Sequence, residues 1–270
     1  MPELPEVETI KNELAPLVTG RHIEFIEFFW AKTLLSPLIP ELEARVTGKL
    51  VMGLERRGKY LILKLDSGDS LLVHLRMTGS FFVSHDKDML PKHTRVVIRL
   101  DDGANLYFID PRKFGKFQLV DGGSVKVLAK LGPEPLLNGF TSAVLGKLLE
   151  GRKAPIKATL VDQKVIAGIG NMYADEVLYE SRLNPLKPSD SLSSDEIKRL
   201  HKAIKHVLKQ AIENKGASIS NYFRPGGEKG TAHQEFKVAH RKGDCSLCGG
   251  PIKRIVVRQR GTYFCPVCQP

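Results

Sequence analysis

The residues that could do chemistry stand at the two ends of the chain. At the start, Met1 precedes Pro2, with Glu3 and Glu6 close behind. Initiator methionine is normally trimmed before a residue as small as proline, which leaves Pro2 as a secondary amine. An α-amine has a pKa of about 7.7–8.0, against about 10.4 for lysine, so more of it is unprotonated at neutral pH. Such an amine attacks electrophilic carbon, and a secondary one gives an iminium. Glu3 and Glu6, at i and i+3, share one face of a first helical turn beside that amine. The same glutamates also suit a helix start for a purely structural reason, because they complement the macrodipole.

At the other end, Cys245 and Cys248 form one CxxC knuckle and Cys265 and Cys268 a second, with sixteen residues between them. The spacing suits four thiolates around one zinc ion in a β-hairpin ribbon; the alternatives are thiols without metal or a redox pair. Disulfides do not persist in a reducing cytosol. Four thiolates leave no coordination position for water, so the zinc would be structural and catalysis would lie elsewhere. No organic cofactor is expected. Lys253, Arg254, Arg258 and Arg260 lie between the knuckles, as a phosphate-contacting surface or a merely soluble one.

Two weaker motifs remain. Ile166-Ala-Gly-Ile-Gly-Asn171 opens a helix, where exposed N–H groups bind phosphate well. A tight helix–helix turn explains it equally. HLRMTG at 74–79 and DPRKFG at 110–115 put Met, Arg and Phe at strand ends. Such side chains can wedge into a base stack, although spacing alone favours ordinary packing.

These residues need elements to position them. Val7, Ile10, Leu14 and Leu17 are spaced as one helical face, with Pro5 in the first turn and Pro16 and Gly20 marking the end. Residues 60–66 and 70–76 flank Ser67-Gly68-Asp69, and residues 95–100 and 104–109 flank Asp101-Asp102-Gly103. Both read as antiparallel hairpins, followed by a strand over 114–120. Stacked hairpins imply a β-sandwich or open barrel. Beyond the proline-marked 131–136, helical patterns cover 141–150, 156–163, 171–182 and 194–214, the last capped by Ser193 and Glu196. Residues 216–234 are polar and glycine-rich, as in a mobile loop.

The chain has 270 residues and is 42% hydrophobic and 26% charged, ordinary values for a globular protein. Nothing approaches the roughly 18 apolar residues of a membrane span, and the first 20 residues lack a signal peptide's apolar core. A cytoplasmic location is expected. The net charge of +11 points to a polyanion partner such as nucleic acid, or to a solvated basic surface.

Together these residues resemble the formamidopyrimidine-DNA glycosylase family, also called 8-oxoguanine DNA glycosylases. The resemblance rests on MPELPEVE at 1–8, RGKY at 57–60, HLRMTG, DPRKFG, LGPEPL at 131–136, IGNMYA at 169–174 and the ribbon ending QRGTYFC at 259–265, in family order. It implies an α+β fold. A β-sandwich with the N-terminal helix spans 1–130, 131–136 is a linker, and a helix–two-turn–helix domain spans 137–240. That domain carries a lesion-recognition loop at about 216–234, and the zinc finger spans 241–270. The implied substrate is damaged double-stranded DNA, bound by a monomer associated with the bacterial nucleoid.

The roles carried over follow the motifs. Pro2 would attack C1′ of the damaged nucleotide, Glu3 would protonate the sugar-ring oxygen, and Glu6 would support the site. Lys59 would act in β-elimination and Arg260 in δ-elimination. His74, His93, Lys157 and Asn171 would contact the DNA backbone, with Arg152 or Lys153 as additions. Met77, Arg112 and Phe114 would fill the gap left by the extruded base, and Ser218 would bond the oxidised base edge. The chain departs from the family at Gly216-Ala217, where two glycines are usual, and at Val238-Ala-His-Arg241, where Val-Tyr-Gly-Arg is common. Within the family the competing reading is an endonuclease VIII-like enzyme for oxidised pyrimidines. From another class it is a non-catalytic zinc-ribbon DNA-binding protein.

Overall fold

The computed structural model describes residues 1–86, 88–121, 126–219 and 222–270. The chain divides into two compact units: Met1–Ala129 with Asn214–Thr231, and Lys130–Glu213 with Ala232–Pro270. The segment after the last long helix therefore belongs to the first unit; Ser220 and Asn221 of the expected loop lie outside the described residues.

The first unit opens with α1 (Leu4–Val18). A reciprocal capping box starts it: the Glu3 carboxylate accepts from the Glu6 backbone, and the Glu6 carboxylate accepts from the Glu3 N–H at 2.7 Å. The buried face is Val7, Ile10, Leu14 and Val18; Leu17, expected in it, is 43% exposed. Leu14 plus four is Val18, so the helix runs one step past the residue chosen from sequence. After β1 (Ile23–Phe28) and α2 (Ile39–Val46), the strands are β2 (Val51–Arg57), β3 (Tyr60–Leu65), β4 (Ser70–His74), β5 (Ser80–Ser84), β6 (Thr94–Leu100), β7 (Asn105–Ile109) and β8 (Lys116–Val120). They form two antiparallel sheets, β1-β6-β7-β5 and β2-β3-β4-β8. Both expected hairpins are present, β3–β4 and β6–β7.

One core joins the inner faces of both sheets with α1. Leu61, Leu63, Leu71, Val73 and Phe117 of one sheet meet Phe81, Val96, Ile98, Leu106 and Phe108 of the other. Phe108 and Phe117 meet edge to face at 5.0 Å between centroids. The last strand begins at Lys116, not at 114, and Phe114 is 47% exposed on the loop before it. A short α3 (Lys126–Ala129) closes the segment.

The second unit is helical: α4 (Ser142–Leu149), α5 (Ile156–Leu160), α6 (Asn171–Glu180) and α7 (Ser194–Glu213). Ser193 and Glu196 make the expected capping box on α7, with bonds of 2.8 and 3.3 Å. The unit ends in a hairpin, β9 (Lys253–Val257) and β10 (Arg260–Phe264), turning through Arg258 and Gln259, both at positive φ. Among the described residues no helix is long and apolar enough to cross a membrane.

Candidate active site and nucleic-acid interface

The N-terminal acids are held by the fold, not merely displayed. Pro2 is buried, and Glu3 and Glu6 are 2% and 1% exposed. Glu6 uses its second oxygen to accept the Ala217 backbone N–H at 2.8 Å, so one carboxylate joins the start of α1 to the 214–231 segment. Gly216, at φ +78°, is needed there: a Cβ would sit 2.9 Å from Glu6 Cγ and 3.0 Å from the Tyr222 ring. Further along, Arg224 donates to Glu13 of α1 at 2.7 Å. The Ser218 hydroxyl donates to the Tyr222 carbonyl at 2.8 Å and accepts the Gly230 N–H at 2.9 Å. In this conformation that hydroxyl stabilises its own loop.

Lys59 follows Gly58 in the two-residue turn between β2 and β3 and is 6% exposed. His74, at the end of β4, accepts the Arg76 N–H on Nδ1 at 3.0 Å and meets the Tyr60 ring edge to face. Burial, with Arg76 and Lys59 nearby, lowers its pKa from 6.5 to about 3. The ring is therefore neutral, with its proton on Nε2, and can donate to a phosphate without carrying charge. Above about pH 6.5 it is neutral folded and unfolded alike. Below that, only the unfolded chain takes up the proton, and stability falls by about 1.4 kcal/mol per pH unit until about pH 3. His74→Gln should therefore lose about 1 kcal/mol less stability than the parent between pH 7 and 5.5, by denaturant titration. Equal losses would contradict the neutral assignment.

The two motifs HLRMTG and DPRKFG form one structure. Asp110, 1% exposed, accepts from Thr78 Oγ1 and from the Gly115 N–H at 2.7 Å. The Arg112 N–H reaches Thr78 Oγ1 at 3.4 Å. Both motifs end in glycine because the Phe108 ring lies against both: a Cβ on Gly79 or Gly115 would come within 2.7 or 2.4 Å of it. Met77, Arg112 and Phe114 are left exposed, with the Arg112 guanidinium 4.8 Å over the Phe114 ring. Met1, Arg76, Met77, Lys113 and Phe114 line one hollow of about 380 Å³, which brings the chain start and two of the three expected wedge residues together. His93 is exposed at positive φ, and its carbonyl accepts the Asp110 N–H.

In the second unit, Arg152, Lys153, Lys164, Arg258 and Arg260 line a groove of about 840 Å³. It gathers Arg152 and Lys153, two of the expected DNA contacts, with Arg260, expected in δ-elimination. Lys157 does not line this groove: it is 1% exposed, and its ammonium binds the Asn171 carbonyl at 2.8 Å and the Asp175 carboxylate. In this conformation the ion pair ties Lys157 to α6. Burial raises the Asp175 carboxyl to about 7 against the pull of Lys157.

Sequence reasoning missed what α6 does. Asn171 Nδ2 donates to the Gly261 carbonyl at 2.8 Å, Asp175 accepts the Tyr263 N–H at 3.2 Å, and the Tyr179 hydroxyl lies 3.2 Å from Cys245 Sγ. Positions 171, 175 and 179 are four apart, one helical face, and all three hold the ribbon. Gln163 shapes the turn before α6: it accepts the Gly168 N–H at 2.9 Å and donates to the Ile169 carbonyl at 2.7 Å.

The four cysteine sulfurs lie within 4.8 Å of one another, with Cys245–Cys268 at 3.8 Å and Cys248–Cys265 at 3.4 Å. Zn–S bonds of about 2.3 Å make a tetrahedron with edges of about 3.8 Å. The residues fit one structural zinc ion, held by Cys245, Cys248, Cys265 and Cys268.

Fold and site define the class, an α+β protein with a four-cysteine ribbon fit for structural zinc and a groove lined by basic side chains. Residues 1–117 match the formamidopyrimidine-DNA glycosylase N-terminal domain, residues 131–222 its H2TH domain, and residues 245–270 the zinc finger found in FPG and IleRS. Formamidopyrimidine-DNA glycosylase of Chloroflexus aurantiacus is 45% identical, over 100% of this chain and 98% of its own length. The solved MutM (Fpg) protein of Thermus thermophilus is 39% identical, with a TM-score of 0.90 over 99% of this chain and 98% of that one. The Lactococcus lactis protein, solved with Fapy-dG-containing DNA, is 36% identical with a TM-score of 0.92, covering 99% of both chains. The chain belongs to the formamidopyrimidine-DNA glycosylase family, a family of DNA glycosylases.

Proposed function

We propose that the chain acts in base excision repair as a bifunctional glycosylase and AP lyase, excising 8-oxoguanine and formamidopyrimidines from duplex DNA. The observation that carries this reading is the buried pair Glu3 and Glu6 directly behind Pro2, with Glu6 also holding the 214–231 segment. With Met1 removed, the Pro2 nitrogen attacks C1′ and the glycosidic C–N bond breaks; its electron pair leaves with the base, which takes up the proton shed by the Pro2 nitrogen. Glu3 gives its proton to O4′, the C1′–O4′ bond breaks, and an iminium joins Pro2 to C1′. Loss of a C2′ proton, assigned to Lys59, expels the 3′ phosphate. A second elimination, assisted by Arg260, expels the 5′ phosphate. Water then hydrolyses the iminium and regenerates the secondary amine.

The target base must leave the stack, at a cost of a few kcal/mol. Exposed Met77, Arg112 and Phe114 suit the vacated space, and Ser218 would reach the base edge if its loop bonds exchange. His74 and His93, the second N–H of Asn171, and the groove with Arg152 and Lys153 suit the phosphates. A monomer in the cytoplasm, associated with the nucleoid, fits this work. The purine reading is favoured over the pyrimidine one by the Met77, Arg112 and Phe114 set. Turnover on an 8-oxoguanine:cytosine duplex should exceed that on a thymine-glycol duplex. The reverse order would overturn the choice of substrate.

A further inference from the structure

Trp30 is the chain's one tryptophan and lies outside every motif that pointed to function. It follows β1, partly buried, and both sheets fix its backbone. The Phe29 N–H donates to the Arg95 carbonyl at 2.9 Å, the Thr33 N–H to the Trp30 carbonyl at 2.9 Å, and the Leu35 N–H to the Phe117 carbonyl at 2.8 Å. Over its ring stands the Lys113 ammonium at 4.1 Å, with the Lys32 ammonium at 5.8 Å. Lys113 is the residue between Arg112 and Phe114. Its backbone is left-handed, φ +62°, which a lysine adopts only when its surroundings hold it there. Asp110 and Thr78 tie the backbone of this loop, through Gly115, through the Arg112 N–H at 3.4 Å and through the Lys113 N–H, which donates to the Asp110 carbonyl at 3.3 Å, but none of these bonds holds the Lys113 side chain.

We infer that Trp30 is a positioning residue for base extrusion: by holding Lys113 against its ring, it fixes the loop from which Arg112 and Phe114 project. A cation over an indole face is attracted by the ring quadrupole, most strongly where water is partly excluded. With Lys113 held to one side, its two neighbours keep their exposed, mutually stacked arrangement, so the wedge meets the duplex already formed. This inference rests on the wedge role proposed above for Arg112 and Phe114.

The experiment has two arms. In the first, without DNA, emission of the lone tryptophan is compared between the parent and Lys113→Met. Removing the ammonium should shift or brighten it; an unchanged spectrum overturns the contact. In the second, kcat/KM is measured for 8-oxoguanine in a fully paired duplex and in the same strand with mismatched neighbours that already open the stack. Trp30→Leu should lose about ten-fold on the paired substrate and less than two-fold on the opened one, with Trp30→Phe recovering most of the loss. Equal losses on both substrates, or none on either, overturn the inference, since a misfolded variant or a lost phosphate contact would not distinguish them. A parent enzyme inactive on both substrates would instead count against the proposed function, while the emission arm would still decide whether Trp30 holds Lys113.

Discussion

Extending the chain ahead of Pro2, so that its nitrogen stays in a peptide bond, should lower lesion excision by about 10³-fold or more, as removal of a catalytic nucleophile does elsewhere. With Met1 attached, that nitrogen is a tertiary amide whose lone pair is delocalised into the carbonyl. It has no proton to lose and no basicity to recover by a shift in pH. The extension should leave the fold intact, because α1 is capped by Glu3 and Glu6, not by Met1. DNA affinity should change little, since the groove lined by Arg152, Lys153 and Arg260 is built by other segments. Excision kinetics under single-turnover conditions, with binding measured in parallel, check this. A loss confined to binding, or no loss, would mean that another amine attacks.

Glu3→Gln should separate folding from proton transfer. The amide oxygen of glutamine can still accept the Glu6 backbone N–H, so the capping box survives and stability should change by less than about 1 kcal/mol. The proton that opens the sugar ring is gone. General acid catalysis contributes about 10²–10⁴-fold, and a loss of that size is expected in excision, with DNA binding kept. Glu6→Gln is a different case: Glu6 accepts two backbone N–H groups, from Glu3 and Ala217, and an amide offers one oxygen for them. That variant should loosen the 214–231 segment as well. If Glu3→Gln is as active as the parent, Glu3 is only a helix cap.

Much of this was readable in the residues. The β3–β4 and β6–β7 hairpins follow from apolar runs around turn residues, and the zinc site follows from two knuckles whose spacing leaves little freedom. α1 was legible because capping and chemistry call for the same residue types at the same positions. What escaped depends on contacts between distant segments. Lys157 looks like any basic residue near a helix start; its partner Asp175 lies 18 positions on and meets it only in the fold. The Glu6 bond to Ala217 spans 211 positions, so nothing local shows that the glycine-rich segment returns to the first unit. Phe114 reads as the start of a strand because it opens the run to Val120, but it is out of phase with the buried Phe117 and Leu119. The strand starts two residues later, past Gly115, which lies against the Phe108 ring. Trp30 carries no motif at all, and only the fold places Lys113 above its ring.

All of the proposed chemistry passes through a covalent bond between Pro2 and a sugar carbon of damaged DNA. Borohydride reduction during turnover on an 8-oxoguanine:cytosine duplex, followed by proteolysis and mass spectrometry of the cross-linked peptide, tests it most directly. One adduct is expected, on the N-terminal peptide beginning at Pro2, absent when the amine is blocked. An adduct on Lys59 or any other internal lysine would contradict it.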